Sequence, residues 1–356
     1  MNATTTDVLI IGGGQAGLAT GYYLHKNGIP FIIVDTQSRV GNSWRNRYDS
    51  LVLFTPREYS DLPGFSFPGY RDQFPTKNET ADYLENYAAK FDFPIQLNTT
   101  VNKVIKNNDF FRIWSNQDQY IAKNVIIATG PFQRKRIPSF ASKISTGVKQ
   151  LHSSVYKNPD QLLQGETLIV GGGNSGAQIA VEVSMRHKVF LSVSQLPVFL
   201  PIKLAGKSIF YWFDRLGILR ASAQSFIGRK IQTRPDPIIG LELKPLIKSS
   251  RVQLMPRAID AAQSSIHFLD GSVKEFANII WCTGFELDYN WLNIPEALYN
   301  ENGSIIHKRG ITTVNGLYIV GMPWQSRRTS ALIGGVDEDA KYIVNSIIEN
   351  GPASMK

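Results

Sequence analysis

Near the N-terminus, two apolar runs flank a stretch with helical spacing. Residues 7–11 (DVLII) and 31–35 (FIIVD) are short, rich in apolar and β-branched side chains, and typical of buried strands. Between them, residues 15–26 (QAGLATGYYLHK) place apolar positions at helical intervals. The pattern predicts a strand–helix–strand unit at the start of the chain.

The same pattern occurs a second time. Residues 166–170 (ETLIV) and 188–193 (KVFLSV) predict strands, and residues 174–186 between them predict a helix. Since two such units lie in one chain, we predict an α/β fold with two Rossmann-like dinucleotide-binding domains.

The remaining pattern indicates how the two domains are connected. A helix is predicted near 76–90 and a strand-rich region over 101–127, while the run GLYIVG and a helix over 336–348 indicate a return to the first domain. We therefore predict a first domain formed by 1–155 and 286–356. The second domain, 156–285, is inserted into it and carries a helical insert at about 203–250.

Glycines at fixed spacing separate the first strand from its helix. In Gly12-x-Gly14-x-x-Gly17, the first glycine permits a tight turn, the second allows a diphosphate to approach the backbone, and the third lets the helix pack on the strand. Asp35 ends the next strand, where its carboxylate can accept hydrogen bonds from a ribose. This combination predicts a dinucleotide site and not merely a tightly packed turn.

The second unit has the same glycines but a different strand end. Gly171, Gly173 and Gly176 repeat the spacing, whereas the second strand ends in Ser192, Ser194 and Gln195 without an acid or an arginine. A carboxylate there favours NADH and an arginine favours NADPH. We therefore expect weak discrimination between them, decided by Ser194 and Gln195.

Two further apolar strands end in the same dipeptide. NVIIATGPF at 124–132 contains Thr129 and Gly130, and NIIWCTGFE at 278–286 repeats the Thr-Gly ending. Two dinucleotide sites in one chain suggest hydride transfer from a nicotinamide to a tightly bound flavin. We assign FAD to the first site, because the C-terminus returns to that domain, and NADPH or NADH to the second.

Composition and cysteine content exclude several classes of protein. The chain has 356 residues, of which 43% are hydrophobic and 19% charged, as in ordinary globular proteins. One cysteine, Cys282, permits neither an intramolecular disulfide nor a dithiol pair, and we expect no metal site. The N-terminus lacks the features of a signal peptide and no apolar run reaches spanning length, so we expect a cytoplasmic protein without a membrane span.

The net charge of +9 is concentrated in one segment. Residues 203–257 contain eleven Lys and Arg against three acidic residues. Neither a nucleic-acid motif nor a long block of like charge is present, so we expect no nucleic-acid partner. A solvated basic face, a substrate channel, a homodimer contact and contact with a lipid surface remain open for this segment.

At the residues above and in the segment between the two units, the chain resembles a known family. The stretches IIGGGQAGLATGYYL, GNSWRNRYDSLVLFTPREYSDLPG, IATGPF, LHSSVY, IVGGGNSGAQIAVE and WCTGFE together resemble flavin-containing monooxygenases, in particular the small bacterial members, with the plant YUCCA-type enzymes as relatives. The resemblance implies that NAD(P)H reduces FAD. The reduced flavin then captures O2 as a C4a-(hydro)peroxide, which oxygenates a soft nucleophile such as a sulfide or amine, or a ketone.

The resemblance also implies roles for individual residues. Gly12, Gly14, Gly17 and Asp35 match the family's FAD turn and ribose acid, and Trp44 and Arg45 match a segment that runs beside the FAD. Asn174, Ser175 and Gly176 match its Asn-Ser-Gly at the NAD(P) diphosphate.

One departure concerns the segment that passes over the flavin. Phe54 stands where many members have an asparagine thought to help hold the oxygen adduct, and Thr55 is the nearest substitute donor. We name both as candidate catalytic residues, with a plain core aromatic as the alternative for Phe54. Without a donor, the chain would be an uncoupled NAD(P)H oxidase or flavin reductase that releases hydrogen peroxide.

A second departure concerns a family fingerprint, and two rival functions remain. The fingerprint appears as Gly147-x-x-x-x-His152-x-x-x-Tyr156 with one inserted residue, and we expect His152 to be a hydrogen-bonded residue of the interdomain linker. A disulfide reductase would need a dithiol that the sequence lacks. A non-enzymatic redox or nucleotide sensor on the same fold is the alternative from another class.

Overall fold

The computed structural model describes residues 3–297, 299–301 and 303–350, which contain two main sheets, one mixed and one parallel. The helices are α1 (Gln15–Lys26), α2 (Asn42–Arg45), α3 (Lys77–Lys90), α4 (Asn174–Val183), α5 (Ile209–Arg215), α6 (Phe226–Gln232), α7 (Leu243–Lys248) and α8 (Asp337–Asn350). Among the described residues, no helix has the length and apolar character needed to cross a bilayer. Short 3-10 turns lie at Arg57–Tyr59, Ser139–Lys143, Pro159–Gln161 and Ile333–Gly335.

The strands are mostly short. In chain order they are β1 (Thr4–Ile11), β2 (Phe31–Val34), β3 (Ile95–Gln96), β4 (Val101–Asn107), β5 (Phe110–Ser115), β6 (Gln119–Ile127), β7 (Arg134–Lys135), β8 (Lys149–His152), β9 (Thr167–Val170), β10 (Val189–Ser192), β11 (Phe199–Leu200), β12 (Lys203–Leu204), β13 (Lys207–Ser208), β14 (Ile238–Ile239), β15 (Val252–Met255), β16 (Ala258–Ala262), β17 (Ser265–Phe268), β18 (Val273–Glu275), β19 (Asn278–Trp281), β20 (Phe285–Glu286), β21 (His307–Lys308), β22 (Ile311–Thr312) and β23 (Leu317–Ile319).

The first sheet has the order β21-β22-β23-β6-β1-β2-β3, with the β4–β5 hairpin attached to β6. Strand β1 pairs in parallel with β2 and β6, which places Ile10 beside Ile33 and Ile126. Side chains of α1, α3 and α8 cover one face of this sheet, and the β4–β5 hairpin and residues 287–297 cover the other. Burial on both faces explains the continuously apolar strands.

The second sheet, β15-β10-β9-β19-β8, is entirely parallel. Helices α4 and α7 pack on one face and the antiparallel β16–β17–β18 ribbon on the other. The antiparallel pair β7 and β20 carries the chain between the two sheets in both directions. This arrangement places the carboxyl ends of β1 and β9, where the two glycine turns begin, beside the connection.

Two predicted boundaries are wrong. The first domain does not extend to residue 155, because Lys149–His152 pairs with β19 as an edge strand of the second sheet. The helical insert does not extend to residue 250 either. Helix α7 packs on α4 and β15 and is the regular crossover between β10 and β15, so the additional segment ends near Leu241. The segment holds two short helices, α5 and α6, with small β-bridges.

Candidate functional site

The first glycine turn leaves open space above the backbone at its second glycine. Gly12 has φ +113°, and a Cβ there would lie 2.6 Å from the Ala128 carbonyl oxygen. A Cβ on Gly17 would lie 1.9 Å from the Gly12 carbonyl oxygen, so this glycine is required by packing. A Cβ on Gly14 would meet nothing within 4 Å. The open space at Gly14 fits a diphosphate.

The second glycine turn reproduces this geometry on the other sheet. Gly171 has φ +115° and a Cβ there would lie 2.3 Å from the Cys282 carbonyl oxygen, while one on Gly176 would lie 1.9 Å from the Gly171 carbonyl oxygen. Gly173, like Gly14, faces open space. Each turn therefore lies against a strand that ends in Thr-Gly, the first beside Thr129 and Gly130 and the second beside residues 283–284.

The helices that follow the two turns begin without a cap. Gly14 precedes α1 and Gly173 precedes α4, neither helix has a side-chain cap, and neither has an acidic residue in its first turn. By contrast, Thr76 and Glu79 form a complete capping box at α3. Uncapped N–H groups at the positive end of a helix dipole bind phosphate. Both turns therefore fit the diphosphate of a dinucleotide.

The residue that follows the second strand differs between the two strand–helix–strand units. Asp35 follows β2, where its carboxylate accepts hydrogen bonds from the backbone N–H groups of Gly13 (2.5 Å) and Gln37 (2.7 Å). These two bonds orient the carboxylate and leave lone pairs for a ribose diol. Val193 takes the corresponding place after β10, where a Cβ on Gly172 would lie 2.7 Å from its Cγ1. No carboxylate is available to the second ribose at this point.

The polar residues after β10 are not equivalent. Ser192 is buried, with its hydroxyl donating to the Pro256 carbonyl and accepting from the Ala258 N–H, so it is used within the protein. Ser194 and Gln195 are exposed. Arg257, which the sequence analysis did not single out, is also exposed and lies between the two residues that bond Ser192. Strand pairing between β10 and β15 thus places Arg257 at the same end of the sheet as Ser194 and Gln195.

Of three further predicted cofactor residues, Asn174 and Arg45 have partners within the protein, whereas Ser175 is exposed. The side chain of Asn174 accepts from the Ile239 N–H (2.8 Å) and donates to the Pro237 carbonyl (3.3 Å), so it holds β14 against α4. Ser175 is exposed at the start of α4. Arg45 bonds Asp82 (2.8 Å), Glu85 (2.7 Å) and the Val40 carbonyl (2.5 Å), and therefore fastens α2 to α3.

Phe54, Thr55 and Trp44 belong to the packing around the first site. The Phe54 ring stacks on Phe210 of α5 with centroids 6.1 Å apart, and Trp44 packs on the core beneath α1 and α3. Thr55 is buried, and its oxygen lies 3.1 Å from the Ser60 hydroxyl, which donates to it. The single Ser60 proton has a second acceptor in the Pro56 carbonyl oxygen, also 3.1 Å away. The Thr55 hydroxyl is the candidate donor next to Phe54 in the chain.

A cavity of about 270 Å³ adjoins this aromatic cluster. Tyr59, Phe210, Leu219 and Leu332 contribute apolar surface to it. Its rim carries five carboxylates and two arginines, namely Glu58, Asp61, Asp214, Asp337, Glu338, Arg220 and Arg327. An anionic ligand is disfavoured by this excess of negative charge.

Arg47, also missed by the sequence analysis, lies where the two domains meet. Its guanidinium carbon is 5.0 Å from the centroid of the Phe132 ring, just before β7, and 5.6 Å from that of Phe285, the first residue of β20. In the part of the chain that the structure describes, no carboxylate pairs with it. Burial lowers the pKa of Arg47, although an arginine remains charged. The adjacent Tyr48 donates to Gln178 of α4 (2.7 Å), so Arg47 is fixed close to the second turn.

His152 is the last residue of β8 and not part of a linker. Its ring is buried, with Nε2 3.0 Å from the Gly284 carbonyl oxygen and Nδ1 2.9 Å from the Ser154 hydroxyl. Desolvation lowers the pKa of His152, while the hydrogen bond to the Gly284 carbonyl acts in the opposite direction and raises it. The ring also packs edge-on against Phe285, which gives His152 a structural role at the connection.

Comparison with known proteins agrees with this geometry. The family profile described as "Pyridine nucleotide-disulphide oxidoreductase" matches residues 9–196, which include both glycine turns. The chain belongs to this family. An "Uncharacterized oxidoreductase CzcO-like" of Geobacillus kaustophilus is 51% identical over 97% of this chain and 99% of its own length.

Within the family, the chain is similar to flavin-containing monooxygenases. One of known structure, from Stenotrophomonas maltophilia, is 26% identical with a TM-score of 0.82, covering 97% of this chain and 99% of its own. The "Probable indole-3-pyruvate monooxygenase YUCCA3" of Arabidopsis thaliana is 29% identical over 80% of this chain and 74% of its own length. The predicted two-domain fold and the resemblance to this group are confirmed, and the chain is a flavin-dependent oxidoreductase of the monooxygenase type that uses FAD and NAD(P)H.

The family's name refers to a disulphide chemistry that this chain does not support. Cys282 is the single cysteine, and desolvation raises the pKa of its thiol to about 12, so it is not a reactive thiolate. The chain shares the fold of the disulphide oxidoreductases without their dithiol relay.

Proposed function

We propose that this protein is a cytoplasmic monooxygenase that oxygenates a small molecule carrying a soft nucleophile, a sulfide or an amine, or a ketone. The observation that carries the proposal is the pair of equivalent, uncapped glycine turns on two sheets joined at β7 and β20. FAD, when bound, accepts hydride from the nicotinamide and activates O2.

The protein's own contribution is binding, orientation and exclusion of water. Gly12, Gly14 and Gly17 with Asp35 would hold FAD, and Gly171, Gly173 and Gly176 would hold the nicotinamide cosubstrate. The cavity beside Phe54 and Phe210 would receive the substrate. Its acidic rim favours a neutral or cationic substrate over a carboxylate such as indole-3-pyruvate, the substrate named for the Arabidopsis relative.

Product analysis under labelled O2 tests the proposal. FAD-loaded protein with NADPH should convert an aryl methyl sulfide, a tertiary amine or a cyclic ketone to a product carrying one labelled oxygen atom, detected by mass spectrometry. NADPH consumption without oxygenation of any of the three classes would contradict a monooxygenase.

Phe54 supports a second candidate, an NAD(P)H oxidase that releases hydrogen peroxide, because its ring stacks on Phe210 and donates no hydrogen bond. Phe54→Asn should raise the ratio of oxygenated product to NADPH consumed by about 3- to 10-fold, since one added donor contributes about 1 kcal/mol. Thr55→Val should lower the same ratio. Peroxide assays measure the share of NADPH oxidation that yields hydrogen peroxide. Phe213→Leu, in the same aromatic cluster, serves as a packing control. An unchanged ratio in Phe54→Asn and Thr55→Val would exclude both residues from oxygen transfer.

The residues after β10 give a prediction about cosubstrate choice. Gln195→Arg should raise the ratio of kcat/KM for NADPH to that for NADH by about 10-fold, because an arginine pairs with the 2′-phosphate. Arg257→Gln should lower this ratio, since Arg257 is the cation that β15 brings to the strand end. Arg112→Gln, an exposed arginine on β5 of the first sheet, is the control. If only Gln195→Arg has an effect, Arg257 does not contact the ribose phosphate.

A further inference from the structure

The segment between β10 and α7 exposes an unusual number of apolar side chains. Phe226 is 76% exposed and Leu196 is 77% exposed. Five more large apolar residues of the segment are also exposed, Val198, Leu204, Leu216, Ile227 and Leu241. Single exposed apolar residues are common on soluble proteins, whereas a concentration of them within one short segment indicates a contact surface.

The same segment is strongly basic. Residues 196–241 contain seven Lys and Arg and two acidic residues. The acids are already paired, Asp214 with Arg220 (3.2 Å) and Asp236 with Arg328 (2.9 Å). Among the described residues, no carboxylate pairs with the cations Lys207, Arg215, Arg229, Lys230 and Arg234. Their positive charge is therefore available to an external anion.

Helix α6 presents both apolar and basic side chains on one face. Gly228 is buried, and a Cβ there would lie 2.0 Å from the Ser222 carbonyl oxygen, so this side of α6 packs directly on the protein. Phe226 and Lys230 lie two residues on either side of Gly228 and one turn apart, so they project from the opposite face. Ile227 and Arg229 flank them and are exposed.

The face is held rigidly. The Ser225 hydroxyl caps α6 by accepting from the Gly228 N–H (3.0 Å), and the Ala223 N–H donates to the Ser326 carbonyl (2.8 Å). The Gln232 amide donates to the Ala223 carbonyl (2.8 Å). A preformed surface loses little conformational entropy on binding.

We propose that this face of α6 and its flanking chain, the α6 surface, docks on an anionic lipid bilayer. Apolar side chains enter the boundary between headgroups and acyl chains while Lys and Arg contact lipid phosphates. A second copy of the chain fits less well, because a twofold interface would place the same unpaired cations against each other. Leu219 and Arg220, between α5 and α6, line the cavity described above, so docking brings that cavity close to the membrane.

Vesicle co-sedimentation of the FAD-loaded full chain tests this proposal independently of catalysis. The protein should bind phosphatidylglycerol-containing vesicles at about 0.1 M salt, and bind pure phosphatidylcholine vesicles at least about 10-fold more weakly. Phe226→Ser with Ile227→Ser, and separately Arg229→Gln with Lys230→Gln, should each weaken binding to the anionic vesicles by about 10-fold or more. The matched controls are Leu269→Ser, at a residue 67% exposed on the β17–β18 turn, and Lys103→Gln with Arg112→Gln on the β4–β5 hairpin.

Three results would overturn the proposal. These are absence of binding to anionic vesicles, equal binding to both vesicle types, and equal losses in the test and control variants. Light scattering supplies a fourth such result. If the wild type is a dimer and Phe226→Ser dissociates it, the α6 surface binds a second copy of the chain.

Discussion

Gly14→Ala is expected to yield a folded protein without bound FAD, whereas Gly173→Ala is expected to yield a folded protein that retains FAD and responds poorly to NADPH. Both glycines have φ of −79° and face open space, so alanine fits either backbone without a clash. The added methyl group instead occupies the space into which the diphosphate must fit. Each cofactor should bind at least about 100-fold more weakly to the affected turn, about 2.7 kcal/mol.

The measurements separate the two turns. Flavin content after purification reports the first site, and anaerobic flavin reduction by NADPH reports the second. Dithionite should reduce the flavin of Gly173→Ala normally, because it does not need the second turn. Both apo-proteins should unfold within about 1 kcal/mol of wild type, the cost of an alanine at the N-cap. If instead Gly173→Ala loses FAD and Gly14→Ala keeps it, the two cofactors occupy the opposite turns.

Gly17→Ala distinguishes a phosphate position from a packing position. Its Cβ would lie 1.9 Å from a backbone oxygen of the same turn, so helix α1 would have to shift. We expect this variant to lose stability as well as FAD, in contrast to Gly14→Ala.

Local patterns predicted the elements that local interactions determine. Helix α1 begins and ends at the predicted residues, because the glycine turn precedes it and Asn27 and Gly28 follow its last turn. The predicted helix over 174–186 ends earlier, at Val183, where the chain offers neither glycine nor proline to mark the end. Strand β8 was missed because KQLH contains a single apolar residue, Leu151, and only pairing with β19, far along the chain, makes it a strand.

The candidate site residues show the same difference between local and tertiary interactions. The glycines and Asp35 act through neighbours in their own unit, so spacing was sufficient to single them out. Asn174 matches the expected motif, yet its side chain is used by β14, whose position only the tertiary structure reveals. Arg257 lies at the same end of the sheet as Gln195 through pairing of β15 with β10, and no pattern around Gln195 indicates it.

Arg47→Gln is expected to weaken binding of NADP⁺ by about 10- to 100-fold while FAD content stays at the wild-type level. A charge-assisted hydrogen bond to phosphate contributes about 1.5–3 kcal/mol, and Arg47 has no carboxylate partner among the described residues to satisfy it otherwise. Arg47→Lys should bind with intermediate affinity, because lysine keeps the charge but lacks the planar fork. Arg134→Gln, in the same connection and paired with Glu286, is the control.

A truncated ligand shows whether Arg47 acts on the cosubstrate or only on the fold. Phe132 and Phe285, which hold Arg47, lie on the connection between domains, while Ser194 and Gln195 lie at the far end of the second site. The prediction places Arg47 against the nicotinamide half of NADP⁺. The fragment 2′,5′-ADP lacks that half and should therefore bind Arg47→Gln and wild type equally in titration calorimetry. Parallel losses for both ligands would mean that the substitution disturbs the second domain as a whole. A loss confined to NADP⁺ would place Arg47, a residue of the FAD domain, in the site of the nicotinamide cosubstrate.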